Sequence, residues 1–255
     1  MKIIHNPENW KDLQNKVGEI LRQCNFKVDI ERKIKSIRSE IEIDVYAEEN
    51  IDNRRYLILC ECKMWNSNIP QLYVHGLRTV INDIGANKGY IITTSDFQKG
   101  SINSVENTNV ELLNWQEFQK MFFKSWYINY FSRELGSIIK SDYDPNAIQF
   151  YDDFTKIKKK DFELLIEKYN NLQEIRKHFP SYILKDFPNE FIDFDNKLPL
   201  INKLKLEEWE IDNFKIPKEI MEENHYSNFL KLIFEFAKPI YAELDKLDLS
   251  FEYDD

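Results

Sequence analysis

The chain has 255 residues, 42% of them hydrophobic, and a net charge of −9; it is long enough for one large domain or two modest ones, and too acidic to bind nucleic acid by charge over its whole surface. Three cysteines, an odd number, and no secretory signal at Met1-Lys2-Ile3-Ile4-His5 exclude a disulfide framework and point to a reducing cytoplasm. No run of about 18 continuous apolar residues is present, so no membrane span is expected.

A first helix is predicted to begin at Asn6-Pro7, because Asn is a good N-cap and Pro is tolerated at the first helical position. Its apolar face reads Trp10, Leu13, Val17, Ile20, Leu21 and Cys24, three and four apart. Phe26-Lys27-Val28-Asp29-Ile30 alternates as a first strand. Ile41-Glu42-Ile43-Asp44-Val45 alternates as a second, with Ile41, Ile43 and Val45 on one face and Glu42, Asp44 and Tyr46 on the other. A polar turn, Asn50 to Arg55, leads to a third run, Tyr56-Leu57-Ile58-Leu59-Cys60-Glu61-Cys62-Lys63. From Ile69 to Ile84 the pattern is helical, with Leu72, Leu77, Val80 and Ile81 apolar and Gly85-Ala86-Asn87 as its stop. Gly89 to Thr94 reads as a buried strand and Val110 to Trp115 as another. Strands alternating with helices favour a mixed sheet covered on both faces.

Composition changes after about residue 120. Residues 1–120 hold 16 Lys and Arg against 17 Asp and Glu, and the remainder 19 against 27. Ten aromatics fall in the first part and 26 in the second. Phe122, Phe123, Trp126, Tyr127, Tyr130 and Phe131 begin a long helical segment. Phe162, Leu165, Ile166 and Tyr169 suggest a further helix, and Tyr226, Phe229, Leu230, Ile233, Phe234 and Ala237 another, interrupted or kinked near Pro239. The expected division is residues 1–123 and a mainly helical domain over 124–255. Aromatic stripes on such helices are more often core than a stacking platform. Lys158-Lys159-Lys160 reads as a solvated helix start.

Side chains alternate along a strand, so Glu61 and Lys63 share one face and Cys60 and Cys62 the other. A hairpin between the second and third strands brings Asp44 beside them. Two carboxylates at one spot repel unless a cation or proton joins them, and such hard oxygen ligands suit Mg²⁺, with Mn²⁺ as a substitute. The same triplet also arises on a solvated strand, where opposite charges pair across the sheet. Cys60 and Cys62 lack a second ligand pair at zinc-finger spacing and read as buried strand cysteines. His75, alone on its helix, carries no spacing information. Arg32, Lys33, Lys35 and Arg38 before the Asp44 strand, with Arg54 and Arg55 in the turn after it, form either a local phosphate-binding set or a solvated hairpin with scattered charge.

From about Trp10 to Phe122 the chain resembles the Mrr-type restriction endonucleases of the PD-(D/E)XK nuclease superfamily. The likeness is carried by Asp44, by Glu61-Cys62-Lys63 with Trp65, by Gly85-Ala86-Asn87-Lys88-Gly89-Tyr90-Ile91-Ile92-Thr93-Thr94, by Phe97, and by Glu111-Leu112-Leu113-Asn114-Trp115. It implies a restriction-endonuclease-like α/β fold in which Asp44 and Glu61 hold the metal and Lys63 is the catalytic lysine. Gln14 is the position that matches a Glu or Gln found on the first helix of such families, and Glu19, one turn further on, competes for that place. The implied activity is Mg²⁺-dependent hydrolysis of DNA, foreign or modified, in restriction or antiviral defence. A homodimer is the simplest way to cut two strands, and the acidic helical part leaves room for an activating protein. Two readings stand beside this one: a catalytically silent nuclease-fold module that binds nucleic acid or a partner protein, and a ribonuclease.

Overall fold

The computed structural model describes residues 2–35, 40–141, 143, 156–179, 198–202 and 215–247. The chain divides into two units, Met1–Asn129 and Tyr130–Asp255.

The first unit is built on a five-stranded sheet in the order β1-β2-β3-β4-β5. Helix α1 spans Trp10–Gln23 and precedes β1 (Lys27–Lys35), β2 (Glu40–Ile51) and β3 (Arg54–Lys63). Helix α2 (Gln71–Ile84), β4 (Lys88–Thr93), α3 (Lys99–Ser104), β5 (Val110–Asn114) and α4 (Trp115–Trp126) follow. The pairs β1–β2 and β2–β3 are antiparallel, and β3–β4 and β4–β5 parallel. This is the mixed sheet that the alternating pattern demands, and the fold is restriction-endonuclease-like, followed by a mainly helical unit.

Both faces of the sheet are covered. Tyr90 of β4 meets Phe122 of α4 with ring centroids 5.9 Å apart, while its neighbour Ile91 lies in a cluster with Val74, Leu77 and Ile81 of α2 and Leu57 and Leu59 of β3. Adjacent strand residues thus bury against opposite helical layers, as the period of two requires.

Local chemistry sets the element ends, and some fall away from their predicted places. Helix α1 starts at Trp10, not at Asn6-Pro7, because Asn9 is the residue whose side chain accepts the N–H of Asp12, at 2.9 Å. Trp10, predicted on the buried face, is 58% exposed. Helix α2 starts at Gln71 and ends where Gly85 takes φ 73, a left-handed stop. Leu72 is 75% exposed rather than apolar-facing, since the first turn of α2 buries Val74 instead. Trp115 opens α4 rather than closing β5, because Asn114 and Glu117 form a reciprocal capping box there. Asp52 and Asn53, at φ 50 and 63, make the tight turn between β2 and β3.

One glycine is required by close approach. A Cβ on Gly89 of β4 would lie 2.2 Å from Cδ1 of Ile81, a residue 1% exposed on α2. Gly89→Ala is expected to cost about 1–3 kcal/mol by overpacking this contact, read as a lower denaturant midpoint with unchanged slope.

In the second unit, α5 (Ser132–Ile138), α6 (Lys159–His178), α7 (Lys218–Glu222) and α8 (Tyr226–Lys246) supply the packing. Helix α8 continues through Pro239 to Lys246. Phe131, Phe179, Tyr226 and Phe229 form one aromatic cluster, and Tyr143, Tyr169 and Tyr241 a second. Most of these rings are buried, so the stripes serve as core. Lys158, Lys159 and Lys160 are exposed at the start of α6. Among the described residues no helix is long and apolar enough to cross a membrane.

Candidate active site

Asp44 sits where the sheet opens. On the β1 side the register runs from Ile30↔Val45 to Arg32↔Ile43, passing over Asp44. The residue opposite, Glu31, has φ 54, a left-handed conformation rare outside glycine. On the β3 side pairing ends at Val45↔Cys60. The strict alternation predicted for β2 also slips here, for Ile43 and Tyr46 join the same apolar cluster instead of taking opposite faces. The N–H of Cys62, released from the ladder, donates to Oδ2 of Asp44 at 2.7 Å. The other oxygen, Oδ1, accepts from Nε2 of Gln14 on α1 at 2.9 Å.

Gln14 is 4% exposed, and its Oε1 has no hydrogen-bond partner among the described residues. A buried acceptor left without a donor costs free energy unless something fills the place. Glu61 and Lys63 share the other face of β3, as alternation requires, and their side chains form an ion pair at 2.5 Å, about one fifth exposed on the lysine.

Burial pushes the Asp44 carboxyl above the ordinary aspartate range, and the neighbouring Glu61 carboxylate pushes the same way, more than the Cys62 N–H, Lys63 and Gln14 draw it down. Burial disfavours the charge on Lys63, but the Glu61 carboxylate beside it outweighs that and holds the ammonium above the usual lysine value. The site therefore carries two carboxylates in mutual repulsion, one ammonium on the second of them, and, on the side chain that donates to the first, a buried amide oxygen without a partner among the described residues. These are hard oxygen donors in want of positive charge, and they fit a divalent cation such as Mg²⁺. Cys60 and Cys62 are buried on the opposite face, and burial pushes both thiols far above the ordinary cysteine range.

The structure does not bring every candidate to this spot. Lys33 and Lys35 are exposed on β1 at the Asp44 end of the sheet, paired in register with Glu42 and Glu40. Arg54 and Arg55 lie at the opposite end of the hairpin, seven and six residues from Glu61 along β3, roughly 23 and 20 Å at strand rise. Arg54 pairs there with Asp52 at 3.4 Å, and Arg55 donates to Glu48 at 2.9 Å and to the Tyr46 hydroxyl. Arg38 lies outside the described residues. Glu19, one turn beyond Gln14 on α1, accepts from Gln23 at 3.2 Å, whereas Gln14 is the residue of that helix in contact with Asp44. His75 is exposed on α2.

Two aromatic residues beside Lys63 carry no signal of their own in the sequence. The Lys63 ammonium lies over the Tyr73 ring, 5.3 Å from its centroid, and Trp65 meets Tyr73 edge to face at 5.0 Å. Trp65 stands in the sequence only as part of a motif and Tyr73 has no pattern that marks it, because their proximity depends on how α2 returns to the end of β3.

Residues 6–122 match the family model Mrr_cat, restriction endonuclease. Among solved structures the chain is similar to AF1548, a protein of unknown function, at 17% identity over 66% of this chain and 97% of that one, with a TM-score of 0.38. It is similar to the MspJI restriction endonuclease in complex with a 27-mer oligonucleotide at 13% identity, over 47% of this chain and 28% of that one, with a TM-score of 0.32. The DNA modification-dependent restriction endonuclease AspBHI gives 13% identity, over 51% of this chain and 40% of that one, and a TM-score of 0.30. The chain thus spans well under half the length of either endonuclease. Among curated proteins none matches the sequence.

Proposed function

We propose that the chain, whose residues 6–122 match the restriction endonuclease family model, is a Mg²⁺-dependent endonuclease that hydrolyses DNA phosphodiester bonds through Asp44, Glu61 and Lys63, with Gln14 in support. The observation that supports this reading is Asp44, bonded by the Gln14 amide whose own oxygen is left buried without a partner among the described residues, together with the Glu61–Lys63 ion pair at the same end of β2 and β3.

Asp44 and Glu61 would hold the cation, with Gln14 Oε1 as the buried acceptor facing it. When bound, the cation lowers the pKa of a coordinated water and draws charge off the phosphate oxygens. The chain's own residues do the rest. Asp44 is fixed from two sides, by Gln14 and by the Cys62 N–H, so its oxygens do not reorient during reaction. Lys63 is held as an ammonium by Glu61. It is therefore a donor in this state, able to orient a water by hydrogen bonding and to offset the negative charge that grows on the phosphoryl oxygens. Water attacks phosphorus, one phosphorus–oxygen bond breaks, and the departing alkoxide takes a proton; no covalent intermediate with the chain is required.

Lys33 and Lys35, at the Asp44 end of β1, are the basic residues proposed to contact phosphates of the bound strand, together with Arg38. Arg54 and Arg55 would reach only DNA several base pairs from the scissile bond, given their separation of roughly 20–23 Å from Glu61. The acidic helical part, 124–255, is proposed to recognise the target or an activating protein. Two copies acting on opposite strands account most simply for duplex cleavage. The role that follows is restriction of foreign or modified DNA in defence.

The test is incubation of the purified protein with methylated, unmethylated and single-stranded DNA and with RNA, under Mg²⁺, Mn²⁺ or EDTA. Metal-dependent cutting of DNA in preference to RNA is expected. Cutting of RNA alone would replace the substrate, and metal-independent cutting would remove the role given to Asp44 and Glu61.

A further inference from the structure

We infer that Tyr73 is a positioning residue for Lys63, its ring face holding the ammonium at the site while Trp65 fixes the ring; this rests on the nuclease reading of that site. A lysine side chain has a flexible four-carbon stem and a point charge at its end, so nothing intrinsic to it fixes where the ammonium sits. Glu61 holds it on one side at 2.5 Å. On another side the ammonium lies 5.3 Å from the Tyr73 centroid, within the roughly 6 Å over which a ring quadrupole attracts a cation.

The ring itself is fixed. Trp65 meets it at 5.0 Å with the planes 89° apart, the edge-to-face geometry that aromatic pairs prefer. The backbone that leads into α2 is anchored too. Ile69 donates to the Asp96 carbonyl at 2.8 Å, and its own carbonyl accepts from Gln98 N–H and from the Ser101 hydroxyl. Tyr73 N–H then bonds the Pro70 carbonyl at 3.2 Å. The ring is therefore presented to Lys63 from a pinned helix start.

The two holds on Lys63 differ in kind. The charge on Glu61 is shared with whatever else binds that carboxylate, so its grip on the ammonium weakens when a cation takes part of that charge. The Tyr73 ring is neutral and remains in place. It keeps Lys63 at the site when Glu61 is committed elsewhere, and that is the condition under which the lysine has to act.

The experiment compares wild type, Tyr73→Phe, Tyr73→Leu, Lys63→Ala and the Lys63→Ala/Tyr73→Leu double variant in DNA cleavage, and records Lys63 side-chain proton resonances in metal-free protein. Tyr73→Leu is expected to lower kcat about threefold to thirtyfold, the range of a cation–π contact, with KM for DNA unchanged. Tyr73→Phe, which keeps the ring, should cut as wild type does. In the Lys63→Ala background the leucine change should add nothing. The Lys63 Cε protons should lie upfield in metal-free wild type through the ring current, and should return to their ordinary position in Tyr73→Leu.

Full activity in Tyr73→Leu, equal loss in Tyr73→Phe and Tyr73→Leu, or ordinary Cε resonances in the wild type would each overturn the proposal while leaving the nuclease reading intact. The last of these needs no variant to fold. Undiminished cutting by Lys63→Ala would overturn the reading of the site and this proposal with it.

Discussion

Lys63→Ala is expected to abolish DNA cleavage, lowering the rate about a thousandfold or more, while leaving the fold and the metal-free binding of DNA in place. The size follows from the two services asked of this ammonium, orientation of the water and stabilisation of phosphoryl charge, each worth on the order of a hundredfold or more where a preorganised donor is removed. The fold should tolerate the change because Lys63 stands at the end of β3, held by an ion pair to Glu61 and a ring contact to Tyr73. Its loss leaves Glu61 without its cation, so the carboxylates repel more strongly in the metal-free protein. Circular dichroism and melting should therefore resemble wild type, with a small loss of stability that Mg²⁺ reverses. An unfolded variant, or one that cuts normally, would contradict this placement of the lysine.

Asp44→Asn should separate stability from activity. The folded protein holds the Asp44 carboxyl above the ordinary aspartate range, first through burial and then through Glu61. A carboxyl so raised contributes most to folding when protonated. That contribution is fully present below the ordinary value, about 3.9, and is lost as pH rises through the folded pKa. At neutral pH the metal-free wild type thus carries a buried, repelled charge that the variant lacks. The asparagine fits the existing bonds: its carbonyl can accept the Cys62 N–H, and its amide can donate to Gln14 Oε1, now orphaned, once the Gln14 amide turns over.

In EDTA, Asp44→Asn is expected to melt above wild type at pH 7, with the difference shrinking as pH falls through the raised folded pKa of Asp44 and no longer changing below about 4. Addition of Mg²⁺ should raise the wild-type Tm, as any ligand of the native state does, and leave the variant unmoved. Cleavage should fall roughly a thousandfold, since several kcal/mol of charge stabilisation is withdrawn at 1.36 kcal/mol per tenfold. A variant less stable than wild type in EDTA at pH 7 would show that Asp44 is held as an ordinary structural acceptor.

The features of the fold and the site that are legible in the sequence are those governed by local rules. Alternation on β3 placed Glu61 and Lys63 together and Cys60 and Cys62 away from them, and the structure has the ion pair and the buried thiols. Gly85 marked the end of α2 because a left-handed stop favours glycine. The distance of Arg54 and Arg55 from Glu61 was also implicit, since strand rise alone separates the two ends of a hairpin. What was hidden depends on contacts distant in sequence or on unusual backbone. Glu31 is not a residue that advertises a positive φ, so the opening of the sheet at Asp44 left no trace in the pattern. Asn6-Pro7 and Asn9 offer similar capping chemistry, and only the observed bond to Asp12 decides between them. The orphaned Gln14 oxygen and the Tyr73 ring over Lys63 exist only because α1 and α2 pack against the ends of β2 and β3 as they do.

The most direct test of the central claim is a side-by-side incubation of supercoiled plasmid DNA with wild type, Lys63→Ala and Asp44→Asn, in Mg²⁺ and in EDTA. Nicked and linear products are expected from the wild type in Mg²⁺ alone, and intact plasmid in every other lane. Cutting in EDTA, or cutting by either variant at the wild-type rate, would contradict it.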